Sequence, residues 1–387
     1  MSEQLLERKV ELAEEQAAIP ALRMEFARHP VDRQLVLIRN SRRFQTWSLC
    51  ESLLADCQAQ RPRDPQCAVD LARLALAIAS VLDVEYYGES LVQDMKARCS
   101  GELAACFCIQ ERYPEAEKAF AVARSLLALG TGDPIEKAHL QWLEASLRVS
   151  QRRFAEAEDL LDRVIRTARR NGESHLLGKA LISKGMCSEA SGQEEAEIRW
   201  IREGVELIDP ALEPRLVLVV RHNLILSLVN ANRFDEALET LDEARALHHK
   251  LGNRVDLIRF GWIEGRVYQG LGRFDEAEEL LREAQSKFLD LSRDYDAALV
   301  SLDLATLYGS QKRWAEIKVL AQAMLPIFRS KQIHREAIAA LLVFRDAVER
   351  EQVTLGLVRE AVQRIKGAPS LPETAARDET EPPLSGN

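Results

Sequence analysis

A phrase of thirteen residues returns along this chain at a fixed interval of forty. "RRFAEAEDLLDRV" occupies 152–164, "NRFDEALETLDEA" 232–244, "GRFDEAEELLREA" 272–284 and "KRWAEIKVLAQAM" 312–324, and the slot at 192–204 holds the degenerate copy "GQEEAEIRWIREG". "ERYPEAEKAFAVA" at 111–123 stands one step earlier, offset by one residue. No other feature constrains the fold as much. A fixed period of this length marks one supersecondary unit used repeatedly, and such a unit buries its apolar face only against a stacked neighbour.

Within each copy the pattern is helical. Phe274, Ala277, Leu281 and Ala284 recur at spacings of three and four, which places them on one apolar stripe. The preceding stretch "GWIEGRVYQGLG" (261–272) reads as another helix ending at Gly270 and Gly272, since glycine suits a left-handed cap and a tight turn. Each unit is therefore two antiparallel helices, with Gly265, Ala277 and Ala284 small enough for close approach. The acids Asp275, Glu276, Glu278 and Glu279 open the second helix, where carboxylates complement exposed N–H groups, and Glu278 stands four before Arg282 as a surface pair. A catalytic carboxylate pair needs a desolvated cleft to separate its pKa values, and a helix face bearing Glu at most exposed positions offers none.

At these residues the chain resembles the tetratricopeptide repeat family. The signature of a small residue, Tyr, Gly, aromatic, Ala, bulky residue and Ala is met by Gly265, Tyr268, Gly272, Phe274, Ala277, Leu281 and Ala284. The next copy offers Ala305, Tyr308, Trp314, Ile317, Ala321 and Met324, and the preceding one Phe234, Ala237, Leu241 and Ala244. The period of forty exceeds the commoner thirty-four, so the helices are longer, and the closing Pro is missing from most copies. The resemblance spans 42–366, about eight helix pairs, and is clearest over 138–325. A first unit with Ala68, Ala72 and Ala75 and a last with Leu357 and Ala361 match weakly, as capping repeats do. It implies an all-α fold, a right-handed α-solenoid (superhelix) of stacked antiparallel helix pairs.

Around this array, residues 1–28 read as a charged, moderately amphipathic helix, broken by Pro20 and stopped before Pro30. The organisation expected is an N-terminal segment at 1–30, the solenoid at 31–366 and a Pro- and acid-rich disordered tail at 367–387. "RPRDP" (61–65), "TGDP" (131–134) and "DPALEP" (209–214) are turns between helices. No apolar run is long enough for a membrane span, and the N-terminus lacks the apolar core of a secretory signal, so a cytoplasmic location is expected. A net charge of −9 disfavours direct nucleic-acid binding through a broad basic surface.

Six of the seven cysteines precede residue 110, and Cys50/Cys57 and Cys99/Cys106 are each seven apart, on one helix face. With no CxxC pair they read as small core residues, the alternative being a metal or redox cluster. His248 and His249 adjoin near a helix C-terminus, where positive charge is favoured. No Walker A, GxGxxG, GxSxG, HExxH or EF-hand pattern occurs, so neither a cofactor nor a catalytic site is expected.

The resemblance implies that the first helix of each pair lines a concave groove through its second, fifth, ninth and twelfth positions. Carried over, these are Arg98; His139, Trp142 and Ser146; Lys179, Met186 and Glu189; and His222 and Leu226, with Asn223 one position further round. Arg259, Trp262, Arg266 and Gln269 follow on the next first helix, and Thr306 on the last. Four cations (Arg98, Lys179, Arg259, Arg266) face one acid, Glu189, and Trp142 and Trp262 hold the same repeat position. Such a groove suits an acidic or C-terminal peptide segment of a protein partner, with Trp as anchor and Arg binding carboxylate. The alternatives are that each Trp packs between its helices, and that the Arg residues pair with Glu on neighbouring helices, which would mute the groove's charge. The family's clamp for chaperone C-termini needs Lys and Asn at set positions; Gly101, Trp142, Ile182, His222, Trp262 and Leu302 stand at the fifth, so that clamp is missing. Three functions fit: an interaction scaffold or adaptor, a peptide-responsive regulator, and, least well, an enzyme or the accessory subunit of one with an unrecognised site near the cysteines.

Overall fold

The computed structural model describes residues 2–190 and 193–330, and every regular element among them is helical. The expected tail at 367–387 and the last capping unit with Leu357 and Ala361 lie outside the described residues. The chain divides into two units, Met1–Ile208 and Asp209–Asn387.

The N-terminal unit holds α1 (Ser2–Phe26), α2 (Val31–Asn40), a 3-10 turn (Arg42–Phe44), α3 (Trp47–Gln60), α4 (Pro65–Val81), α5 (Val84–Tyr87), α6 (Glu89–Ile109), α7 (Tyr113–Leu127), α8 (Pro134–Ser150), α9 (Phe154–Asn171), α10 (Ser174–Ala190) and α11 (Glu194–Val205). The second unit holds α12 (Pro214–Asn230), α13 (Phe234–Leu251), α14 (Arg254–Gly270), α15 (Phe274–Asp290), α16 (Asp294–Ser310) and α17 (Trp314–Ser330). Consecutive helices pack as pairs: α3/α4, α6/α7, α8/α9 and α10/α11 in the first unit, α12/α13, α14/α15 and α16/α17 in the second. The aromatic of the recurring phrase (Phe154, Phe234, Phe274, Trp314) is in each case the first residue of the second helix.

The apolar stripe of each second helix is the core. Ala116, Phe120 and Ala123 on α7, Ala157, Leu161 and Val164 on α9, Ala237, Leu241 and Ala244 on α13, and Ala277, Leu281 and Ala284 on α15 are all buried. Each Leu or Phe so placed contributes about 1.5–3 kcal/mol by leaving water. The small residues act as expected at Gly265, where a Cβ would stand 2.9 Å from Leu281 Cγ. At α10/α11 the backbones themselves meet: a Cβ on Gly178 would lie 2.7 Å from the carbonyl oxygen of Gly204.

Two expectations are corrected. Pro20 does not break the first helix; α1 runs through it to Phe26. Proline removes one N–H bond, and at an exposed position the carbonyl left over is solvated rather than orphaned. Nor is His248 a surface cation at a helix end. It occupies the core slot that Phe288 fills one repeat later, is fully buried, and its ring lies 4.1 Å from that of Phe260. Burial pushes its pKa down, against the macrodipole.

Six turns share one geometry that the sequence reading did not isolate. Glu111, Arg152, Asn232, Gly272, Ser292 and Lys312 all take a left-handed conformation, with φ between 54° and 77°. In each case the next residue is an arginine (112, 153, 233, 273, 293, 313), whose N–H returns to the carbonyl five residues earlier at 2.8–2.9 Å, closing a Schellman cap. Its guanidinium then holds the acid three residues on: Glu115, Glu156, Glu236, Glu276, Asp296 and Glu316. The sequence signal at these six turns is Arg-x-x-acid; the similar turn at Gly172 (φ 73°), followed by Glu173, lacks it.

Candidate functional site

In the N-terminal unit the expected groove residues fall on α6, α8 and α10. Lys179, Ser183 and Met186 follow one another at i, i+4 and i+7, one face of α10, with Met186 46% exposed. Trp142 crosses from α8 to this face. Its indole N–H donates to Ser183 Oγ at 3.0 Å, and Lys179 Nζ stands 4.2 Å above the ring centre. Trp142 is thus half-buried, packed against the core on one side and covered by a cation on the other. His139 lies beside it, 5.7 Å between ring centres, with its Nε2 3.4 Å from Glu102. Burial first, then the charge of Lys179, pulls the His139 pKa down to about 4, so the ring is neutral at pH 7. The side chain of Glu189 is outside the described set.

The second unit repeats the device. Arg259, Trp262, Arg266 and Gln269 form one stripe on α14, at spacings of three and four. Trp262 reaches across to α16, its indole N–H donating to Asp303 Oδ2 at 2.7 Å, the same forty-one-residue step as Trp142 to Ser183. Its ring meets Phe288 edge-on at 6.1 Å. Each indole is thus anchored between neighbouring first helices and remains half-exposed.

His222 is half-buried on α12. Its ring turns to His248 on α13 at 6.0 Å, and burial, then His248 and Arg259, lowers its pKa to about 4. Asn223 beside it is half-buried, and Ser227 donates to its carbonyl at 2.9 Å.

The cations do not face a single acid. Arg98 pairs with Glu136 on α8 and approaches Glu51 on α3 at 3.6 Å. Arg259 lies 3.5 Å from Asp296, and Arg266 3.9 Å from Asp303, both on α16; Arg266 also donates to Asn230 at 2.9 Å. Glu136, Asp296 and Asp303 stand about one repeat beyond their cations and Glu51 about one before, each on the neighbouring first helix. Pairing of these arginines with acids on neighbouring helices was open from the sequence, but the carried-over positions covered only part of each helix face and did not name the acids. The face is accordingly a lattice of inter-repeat ion pairs rather than a positive groove.

One further feature escaped the sequence, and the cysteines lie where the sequence was expected to put them. A cleft of about 540 Å³ opens between α7, α8 and α9, lined by Leu127, Leu140, Leu160, Arg124, Lys137 and Gln141. It uses the face of α8 opposite to His139 and Trp142. Six of the seven cysteines are buried, only Cys67 being part-exposed, and among the described residues no group of three or more His, Cys, Asp or Glu is placed to hold a metal ion. No helix among the described residues is long and apolar enough to cross a membrane.

Residues 258–283, from within α14 to within α15, match the tetratricopeptide repeat. No curated protein matches the sequence. Among solved structures, the apo form of RapI is similar at 11% identity, over 73% of this chain and 98% of its own, with a TM-score of 0.51. Aspartyl phosphate phosphatase F from Bacillus subtilis is similar at 15% identity over 85% of this chain and 82% of its own, TM-score 0.51. A Rap protein complexed with competence and sporulation factor is similar at 14% identity over 71% and 73%, TM-score 0.50. At such identities the likeness is one of fold.

Proposed function

From a stack of helix pairs of tetratricopeptide type, we propose that this chain is a binding scaffold whose first-helix faces take up an extended, acidic segment of a protein partner. The observation that carries the reading is the device found in both units: an indole laid across two successive first helices with a cation beside it. Half-exposed Trp supplies apolar contact area that is already ordered, so little entropy is lost on binding. A partner carboxylate competes with Glu136, Asp296 and Asp303 for Arg98, Arg259 and Arg266. The partly solvated Arg98 and Arg259 pairs are worth about 0–1 kcal/mol, so exchanging one of them for a bidentate contact is inexpensive, whereas Arg266 faces a buried carboxylate. Because Arg98 and Arg266 already face carboxylates, and Arg259 shares Asp296 with Arg293, long-range steering is weak and recognition rests on the tryptophan anchors.

The test is a titration of extended acidic peptides followed by tryptophan fluorescence. Binding that shifts the emission, and that weakens about ten-fold in an Arg259→Gln/Arg266→Gln protein, supports the proposal. A panel of acidic peptides that leaves the emission unchanged, or that binds both proteins equally, removes it.

The ion pairs also favour a regulatory version of this scaffold. Arg98–Glu136 and Arg259–Asp296 tie one repeat to the next, so a ligand that takes the cation releases an inter-repeat tie. One structural neighbour is described as complexed with a competence and sporulation factor, which agrees with ligand responsiveness in this fold. A peptide-dependent change in scattering radius distinguishes this version from a passive scaffold. The phosphatase name of another neighbour transfers no activity at 15% identity.

A further inference from the structure

Helices α3 and α6 are the first helices of two successive pairs, and two cysteine pairs join them like rungs. Cys50 Sγ is 3.5 Å from Cys99 Sγ, and Cys57 Sγ is 3.4 Å from Cys106 Sγ, each pair forty-nine residues apart in sequence. All four side chains are fully buried. Core filling alone explains small residues there, but not why sulfur should meet sulfur at both rungs.

The lower rung has surroundings the upper one lacks. Arg61, at the C-terminal end of α3, lies one turn beyond Cys57 with its side chain largely buried. Its outer end is held by the buried carboxylate of Glu102, to which Gln58 also donates at 2.7 Å. Its Nε is buried with no hydrogen-bond partner, which leaves that guanidinium edge to the sulfurs. The hydrogen bond from Cys57, and then the charge of Arg61, lower the Cys106 thiol's pKa, while Cys57, holding the proton, is raised. At the upper rung burial dominates and raises Cys99.

We propose that Cys57 and Cys106 are a redox modification site, at which hydrogen peroxide oxidises Cys106 and Cys57 closes a disulfide that ties α3 to α6. The Cys106 thiolate attacks a peroxide oxygen; the O–O bond breaks, hydroxide leaves and is protonated, and Cys106 becomes a sulfenic acid. Cys57 loses its proton and attacks the Cys106 sulfur; the S–O bond breaks and the departing hydroxide takes that proton as water. Two thiols and one peroxide thus give one disulfide and two waters, the sulfurs losing the two electrons the peroxide gains. The sulfurs close by about 1.4 Å to reach bonding distance. Burial restricts the oxidant to a molecule of peroxide size, and a dithiol reductant reverses the bond.

The full-length folded protein is treated with stoichiometric hydrogen peroxide, alkylated under denaturing conditions without reduction, and mapped by peptide mass. The expected result is a Cys57–Cys106 linked peptide forming about ten-fold faster than any Cys50–Cys99 link and lost on reduction. In a Cys57→Ser protein, dimedone labels Cys106. Free Cys57 and Cys106 thiols in the treated wild-type protein, equal rates at the two rungs, or sulfinic acid at Cys106 with no linked peptide each overturn the proposal. The wild-type mapping stands even if the variant does not fold.

Discussion

The same substitution at two helix-interior glycines should have opposite effects. Gly178 lies within α10 and Gly261 within α14, so replacing either by Ala gains roughly 0.8–1 kcal/mol of helix propensity. At Gly261 a Cβ meets nothing within 4 Å, and the gain is kept. At Gly178 the Cβ would stand 2.7 Å from the Gly204 carbonyl oxygen, 3.0 Å from Ile208 Cδ1 and 3.1 Å from Leu207 Cβ. A side-chain tip can swing aside; a carbonyl held in α11 cannot. The helices must part, which also loosens the fit of Gly204, whose own Cβ position is 2.8 Å from the Gly178 carbonyl. Overpacking of this kind costs about 1–3 kcal/mol. Because the propensity gain is common to both variants, the difference between them is that overpacking cost. Urea unfolding followed by circular dichroism and tryptophan emission measures it, with the two units read separately because repeat stacks need not unfold in one step. Gly178→Ala stabilising the protein as much as Gly261→Ala would show that α10 and α11 do not touch through their backbones, and the reasoning would fail.

Trp262→Phe keeps the edge contact with Phe288 but removes the donor to the buried Asp303 carboxylate, and should cost about 1.5–3 kcal/mol. A double-mutant cycle with Asp303→Asn isolates the bond, and a coupling below about 0.5 kcal/mol contradicts it. The protein should also lose stability in mild acid. His139 and His222 titrate near 4 when folded and near 6.5 when unfolded, so the unfolded chain binds more protons in between. Stability from this source is full above about pH 6.5 and declines as pH falls toward 4. Melting temperatures that decline over that window, and less so in a His139→Gln/His222→Gln protein, are expected; identical profiles for the two proteins refute the assignment.

What could be read from the residues follows a physical divide. Periodicity within one helix is local, so Ala277, Leu281 and Ala284 identified both the second helix and its buried side, and Asp64–Pro65 and Asp133–Pro134 marked helix starts. Registry between helices is not local. Asp296 and Asp303 came to face Arg259 and Arg266 only through the packing of α14 on α16, and the seven-residue spacing of the cysteines revealed a shared face without revealing the partner face. His248 misled for a related reason: its place near a helix C-terminus suggested a favoured positive charge, whereas its place in the repeat, equivalent to Phe288, put it in the core.

The turns bear on something other than stability. Each is closed by bonds among its own residues: the left-handed residue, the returning arginine N–H and the acid three positions on. A junction that carries its own instructions is interchangeable with its copies. Excising residues 232–271 would join Ala231 to Gly272, and the new corner would have a glycine for the left-handed asparagine, with Arg273 and Glu276 ready to close it. For a lineage carrying such a gene, array length is therefore open to change by duplication or loss of whole periods, and reach can be altered without inventing a new joint.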